Sequence, residues 1–177
     1  MTGEPSMDAA DRRNAILRRL EGTTTPLPAA RLGEDLGVSR QIIVGDVALL
    51  RASGHSIHAT NRGYLLARPA TRPRRSLMVQ HTREQIPAEL SAILDAGGTI
   101  IDISIEHRLY GQITADLLIR NRRDLKAFLA RLTTSSSLAE LTNGWHTHTI
   151  EADSEKRLDA IARRLDALGL LRPEDAG

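Results

Sequence analysis

The apolar residues of the first third of the chain recur at helical spacing. Over residues 8–20, Ile16, Leu17 and Leu20 share one face while Arg12, Arg13, Arg18 and Arg19 fall elsewhere, which predicts a first helix. A second follows Leu27 and Pro28, with proline in a permitted first-turn position, and runs to Leu36 with Leu32 and Leu36 inward. Gly37 suits a left-handed helix end. Ser39 can cap a third helix reaching about Ala52, in which Ile43, Val47 and Leu50 keep the i, i+4, i+7 rule and Gly54 ends the run. Two helices joined by a short glycine-containing turn make a helix-turn-helix. Residues 57–60 and 64–66 then flank Asn61-Arg62-Gly63, a hairpin signal. Three helices and a hairpin predict a winged helix over residues 1–67. Gly33 and Gly45 depart from the pattern, since each weakens a helix interior by about 1 kcal/mol against alanine.

From residue 77 the pattern alternates between strand and helix. Leu77–His81 is a short strand, and Thr82 with Gln85 has capping-box spacing before a helix near 83–96. Residues 99–107 alternate, with Ile101, Ile103 and Ile105 against Asp102, Ser104 and Glu106. Residues 112–120 alternate again after a turn at Tyr110-Gly111. A helix over 122–132, a strand over 145–150 and a helix capped by Ser154 complete the order β-α-β-β-α-β-α. The fold class is therefore α+β, a winged helix followed by a ferredoxin-like split βαβ domain over 77–177. Residues 68–76, with two prolines and four arginines, read as a linker.

Composition narrows the classes. With 41% hydrophobic and 26% charged residues the chain is globular rather than disordered. No apolar run approaches the roughly 20 residues of a membrane helix, and residues 1–14 lack a signal core, so a cytoplasmic protein is expected. The absence of cysteine excludes disulfides and thiolate metal sites. Only four residues are aromatic, which argues against stacking readers of single-stranded RNA. Residues 1–76 carry a net charge of +5 and residues 77–177 one of −3, which points to a polyanion-facing first part and a second part with another task.

The first part carries a DNA-reading signal. A recognition helix uses its N-terminal residues on base edges in the major groove. Ser39, Arg40, Gln41 and Val44 are on the outward face of the third helix, and Arg and Gln pair bidentately with guanine and adenine. Arg62 at the wing tip is a candidate phosphate contact. Two such helices must reach successive major grooves, so a homodimer on palindromic double-stranded operator DNA is expected.

The second part carries a metal-binding signal. His146 and His148, two apart on a strand, leave the same face. The sheet topology brings His81, at the end of the first strand, close to them, and Glu89 follows on the next helix. Three imidazoles and a carboxylate suit Zn, Ni, Fe or Cu.

The strings His81-Thr-Arg-Glu-Gln-Ile-Pro-Ala-Glu89-Leu, Ile105-Glu-His107-Arg-Leu-Tyr-Gly111 and Leu141-Thr-Asn-Gly-Trp-His146-Thr-His148-Thr-Ile-Glu151 together resemble the 3H domain. With a winged helix in front, the chain resembles the niacin-responsive transcriptional repressors (NiaR-like), over about residues 8–170. The resemblance implies a repressor of NAD-synthesis or niacin-uptake genes with nicotinic acid as co-repressor. It also implies one divalent metal (Zn, Ni or Fe) per subunit on His81, Glu89, His146 and His148. His107 and Arg108 are assigned to the effector pocket. Arg108 and Trp145 depart from the residues expected in those strings. The competing readings are a metal-responsive regulator, a metal-dependent hydrolase fused to a DNA-binding domain, and a winged helix with an amino-acid-sensing domain.

Overall fold

The computed structural model describes residues 7–172, in two compact units that divide between Pro69 and Ala70. Among the described residues no helix is long and apolar enough to cross a membrane.

The first unit is a winged helix. It comprises α1 (Ala9–Glu21), α2 (Ala29–Leu36), α3 (Arg40–Ala52) and the antiparallel pair β1 (Ile57–Thr60) and β2 (Gly63–Leu66). Ile16, Leu20, Leu32, Ile43, Val47 and Ile57 form its buried centre. Ser39 caps α3, its Oγ accepting the Ile42 N–H at 3.3 Å. Pro28 is the extended N-cap of α2 rather than its first helical residue. Gly33 has a packing reason: a Cβ there would lie 2.6 Å from the Val38 carbonyl oxygen, so the tight turn between α2 and α3 requires its absence. One buried residue breaks the apolar pattern. Asp46, on the inner face of α3, meets Arg12 Nε of α1 at 2.6 Å and Arg13 at 3.6 Å.

The second unit follows the expected element order: β3 (Arg74–Gln80), α4 (Ile86–Asp95), β4 (Thr99–His107), β5 (Gly111–Ile119), α5 (Arg122–Leu132), β6 (Trp145–Glu151) and α6 (Glu155–Ala167). A 3-10 turn over Arg83–Gln85, carrying the Thr82–Gln85 capping box, precedes α4, and another over Leu138–Thr142 precedes β6. The sheet order is β3-β6-β4-β5, with all neighbours antiparallel. β3 and β4, joined by α4, are thus split by β6, and β5 and β6, joined by α5, are split by β4. The α+β class and element order are as expected, but the strand order corrects the ferredoxin-like expectation: the first and third strands of the domain are its edges rather than its centre, because β6 pairs with β3 on one side and β4 on the other. The three helices pack Leu90, Ile93, Leu125, Leu158, Ile161 and Leu165 against Val79, Ile100 and Ile150 on one sheet face.

Two further details differ from the sequence expectation. The strand alternation of β4 and β5 is interrupted by a bulge, where Ile101 faces Leu117 and Leu118, with Leu118 at φ +49°. All three are buried, because the bulge turns consecutive residues away from solvent. The expected linker also ends early. β3 begins at Arg74, since Arg74 pairs with Glu151 at 2.7 Å and Arg75 with Glu155 and Asp159 at 2.8 Å each, while Arg72 meets Asp153 at 3.0 Å. These arginines neutralise acids of their own domain.

Candidate functional site

The register of β3 on β6 sets Val79 opposite His146 and Leu77 opposite His148. The even spacing of the two histidines sends both to the buried side of β6. His81 follows the end of β3, and Glu89 stands in the first turn of α4, where the helix start favours an anion. The four side chains are 1–3% exposed and meet in one place. His81 Nε2 is 2.7 Å from Glu89 Oε2, while His146 and His148 Nε2 are 3.5 and 3.4 Å from Oε1. Donor atoms of His81, Glu89 and His146 all lie within 4.8 Å of one another.

Each imidazole is fixed from behind. The Nδ1 atoms of His81, His146 and His148 each lie 2.8 Å from a backbone carbonyl, those of Thr82, Gly144 and Asp102 respectively. A carbonyl only accepts, so every Nδ1 carries its proton and every Nε2 points inward with the atom a metal would use. Glu89 Oε1 is buried without a hydrogen-bond partner, an arrangement that native structures rarely leave unexplained. The donor set suits a divalent ion: the 3.4 and 3.5 Å separations are close to those of donors about 2.1 Å from one centre, while the 2.7 Å His81–Glu89 contact is shorter and the group of mutually close donors comprises His81, Glu89 and His146 without His148.

The electrostatics match. Burial pushes the Glu89 carboxyl up, but the charge of His148, the nearby His146 imidazole and the hydrogen bond from His81 outweigh it and hold it well below the usual carboxylate value. Burial opposes charge on His81 and His148 as well, yet Glu89 raises both above 6.5. At His146 burial prevails and lowers the value.

In the first unit, Ser39, Arg40 and Gln41 are exposed at the start of α3 and Val44 is half-buried, while Ile43, Asp46, Val47 and Leu50 face inward. Arg62 is half-buried at the turn between β1 and β2, where its backbone N–H donates to Thr60 Oγ1 at 3.1 Å.

Residues 12–65 match a helix-turn-helix (HTH) domain, and residues 74–174 match the 3H domain. The chain is 38% identical to the "Probable transcription repressor NiaR" of Thermotoga maritima, over 93% of this chain and 95% of that protein. It is 34% identical to the "Transcription repressor NadR" of Bacillus subtilis, over 97% of this chain and 98% of that one. The chain belongs to the NiaR/NadR family of transcription repressors. It is a regulator with a DNA-binding helix-turn-helix, not an enzyme.

In this repressor two sequence-selected residues stand apart from the histidine cluster. His107 closes the β4–β5 hairpin: its Nδ1 accepts the Leu109 and Tyr110 N–H groups at 3.3 Å each, and its ring stacks on Tyr110 with centroids 4.9 Å apart. Arg108 is exposed in the same turn. Trp145 alternates with His146 along β6 and faces the opposite side of the sheet.

Two residues that sequence reasoning passed over support the cluster. Gly144, at φ +86°, gives its carbonyl to His146, and the preceding Asn143 is also left-handed, at φ +52°. The Asn-Gly pair before Trp145 was the signal for such a backbone. Asp102, beside the bulge, supplies the carbonyl to His148, and its Oδ1 accepts the Thr149 N–H at 3.2 Å. Nothing in its local sequence marks that role.

Proposed function

We propose that this repressor binds palindromic operator DNA as a homodimer in the cytoplasm, with nicotinic acid as co-repressor, and controls genes of NAD synthesis or niacin uptake. The relatives' names support repression, and the residue strings of the 3H domain support the niacin response. The observation that carries the reading is the buried cluster, with three inward Nε2 atoms around a Glu89 oxygen that no hydrogen bond satisfies.

His81, Glu89, His146 and His148 are the metal ligands in this reading, one divalent ion per subunit, with Zn, Ni and Fe all suited to imidazole and carboxylate. When bound, such an ion neutralises Glu89 and supplies a fixed positive centre. The protein's own groups do the rest. The carbonyls of Thr82, Gly144 and Asp102 orient the rings, and α4 holds the carboxylate.

A cavity of about 590 Å³ adjoins His81 and is lined by Gln80, Arg83, Gln85, Asn143 and Arg172 among others. Its lining is mixed, with Ile86 and Ala139 beside the polar groups and Arg83 paired to Glu140 at 3.0 Å, and Arg172 supplies a cation for a small aromatic carboxylate. It supports an effector bound beside His81; His107 and Arg108, at the β4–β5 hairpin tip, do not line this cavity. Tighter effector binding to the DNA-competent form requires that operator DNA tighten effector binding equally.

The test is operator affinity with and without nicotinic acid, in wild type and in His148→Ala, with nicotinamide as the uncharged control. Metal-loaded wild type gains affinity with nicotinic acid, and His148→Ala does not. No gain in the loaded wild type refutes niacin control. The near-complete closure of the cluster favours one second reading, a metal-responsive regulator. Under that reading metal alone sets the affinity.

A further inference from the structure

We propose that the recognition helix reads thymine 5-methyl groups through Ile42, and that Gly45 is glycine so that the backbone of α3 can come close enough to the bases for this contact. The outward line of α3 runs Gln41, Gly45, Ala48, Ala52, opposite the inward Ile43, Asp46, Val47 and Leu50. Gly45 is exposed, and a Cβ built on it would meet no atom within 4 Å. It also lies inside a regular helix and is absent from the positive-φ residues. Nothing among the described residues therefore calls for glycine, although glycine weakens a helix. Gly33 shows the contrast, since there the fold itself occupies the space of a Cβ.

In a helix-turn-helix the face of the second helix turned away from the core enters the major groove. A missing side chain in the middle of that face brings the backbone nearer to the base edges. Large apolar side chains flank the gap on one side. Ile42 is 43% exposed and Leu49 57%, with Ala48 between them along the helix. Large apolar groups held in solvent on this helix fit the one apolar feature of the major-groove edges, the thymine methyl. Arg40 and Gln41 share the first turn with Ile42 and face the hydrogen-bonding edges. The start of the helix thus sets two hydrogen-bonding side chains beside one methyl-reading one.

The test uses the full-length, metal-loaded protein with nicotinic acid present and a duplex enriched from a random pool. Thymines of that duplex are replaced by uracil one at a time, which removes only the methyl. One uracil in a single half-site weakens wild-type binding by about fourfold, the effect of one buried CH₂ group, and has no effect on Ile42→Ala. Gly45→Ala raises the melting temperature of the winged helix by about 4 °C or more while weakening operator binding. The proposal is overturned if no uracil substitution weakens binding, or if Ile42→Ala stays as sensitive to uracil as wild type. It is equally overturned if Gly45→Ala binds as tightly as wild type, or melts lower.

Discussion

Gly144 faces the carbonyl oxygen of His81 so closely that a Cβ on it would lie 2.1 Å from that oxygen. The His81 N–H in turn points to the Gly144 carbonyl at 3.4 Å, the same carbonyl that holds Nδ1 of His146. One backbone position therefore sets two of the three imidazoles. Gly144→Ala is expected to lose bound metal, because the clash pushes β6 away from His81. The left-handed backbone alone costs a non-glycine residue about 1–3 kcal/mol. Elemental analysis and melting of the 3H domain check this; full metal content with an unchanged melting temperature would count against it.

Much of the cluster was legible because its signals are local. The His-x-His spacing, the Thr82–Gln85 box and the Ser39 and Ser154 caps depend on a few neighbouring residues, and each forms as the pattern dictates. The parts that were not legible depend on pairing across long sequence separations. Arg72, Arg74 and Arg75 read as a solvated linker because their partners lie some 75–85 residues away. The bulge at Ile101 hid within an apparently continuous Ile101, Ile103, Ile105 alternation, since only the strand partners reveal an extra residue.

Asp46 is the clearest case of such a hidden partner, and it yields a prediction for the DNA-binding unit. Its carboxylate, under α3, takes the Arg12 guanidinium of α1 at 2.6 Å, so the angle of the recognition helix depends on this pair. Removing one partner of a buried ion pair leaves the other uncompensated. Asp46→Ala should lower the melting temperature of the winged helix by several degrees and weaken operator binding. Arg12→Ala should do the same, and the double variant should be little worse than either single one. Fully additive losses would show that the pair does not act as a unit.

Arg40 and Arg62 separate base reading from phosphate anchoring. Arg40→Ala should relax the base preference of the operator half-site, with about 1–3 kcal/mol of discrimination lost at one position. Arg62→Ala should weaken all sequences alike and reduce the slope of log affinity against log salt by about one. Competition binding at several salt concentrations measures both. An Arg40→Ala variant with full sequence preference would mean that α3 enters the groove in another orientation.

The histidine cluster makes metal binding and proton binding compete, and the direction of the shifts sets the pH window. In the metal-free protein Glu89 raises His81 and His148 above 6.5. Stability from their protonation is complete below 6.5 and is lost as pH rises through the raised values. Glu89, held well below its ordinary 4.5, contributes stability that is present above 4.5 and lost only on strong acidification. His146, lowered by burial, opposes folding as pH falls below 6.5. A bound ion needs every Nε2 unprotonated, so it gains as His81 and His148 lose their protons. The melting-temperature difference between metal-loaded and metal-free protein should therefore widen as pH rises from 6 toward 8. Calorimetric metal titrations near pH 6.5 should show proton release that depends on the buffer's ionisation enthalpy. A difference independent of pH over that range would mean that His81 and His148 are not both ligands.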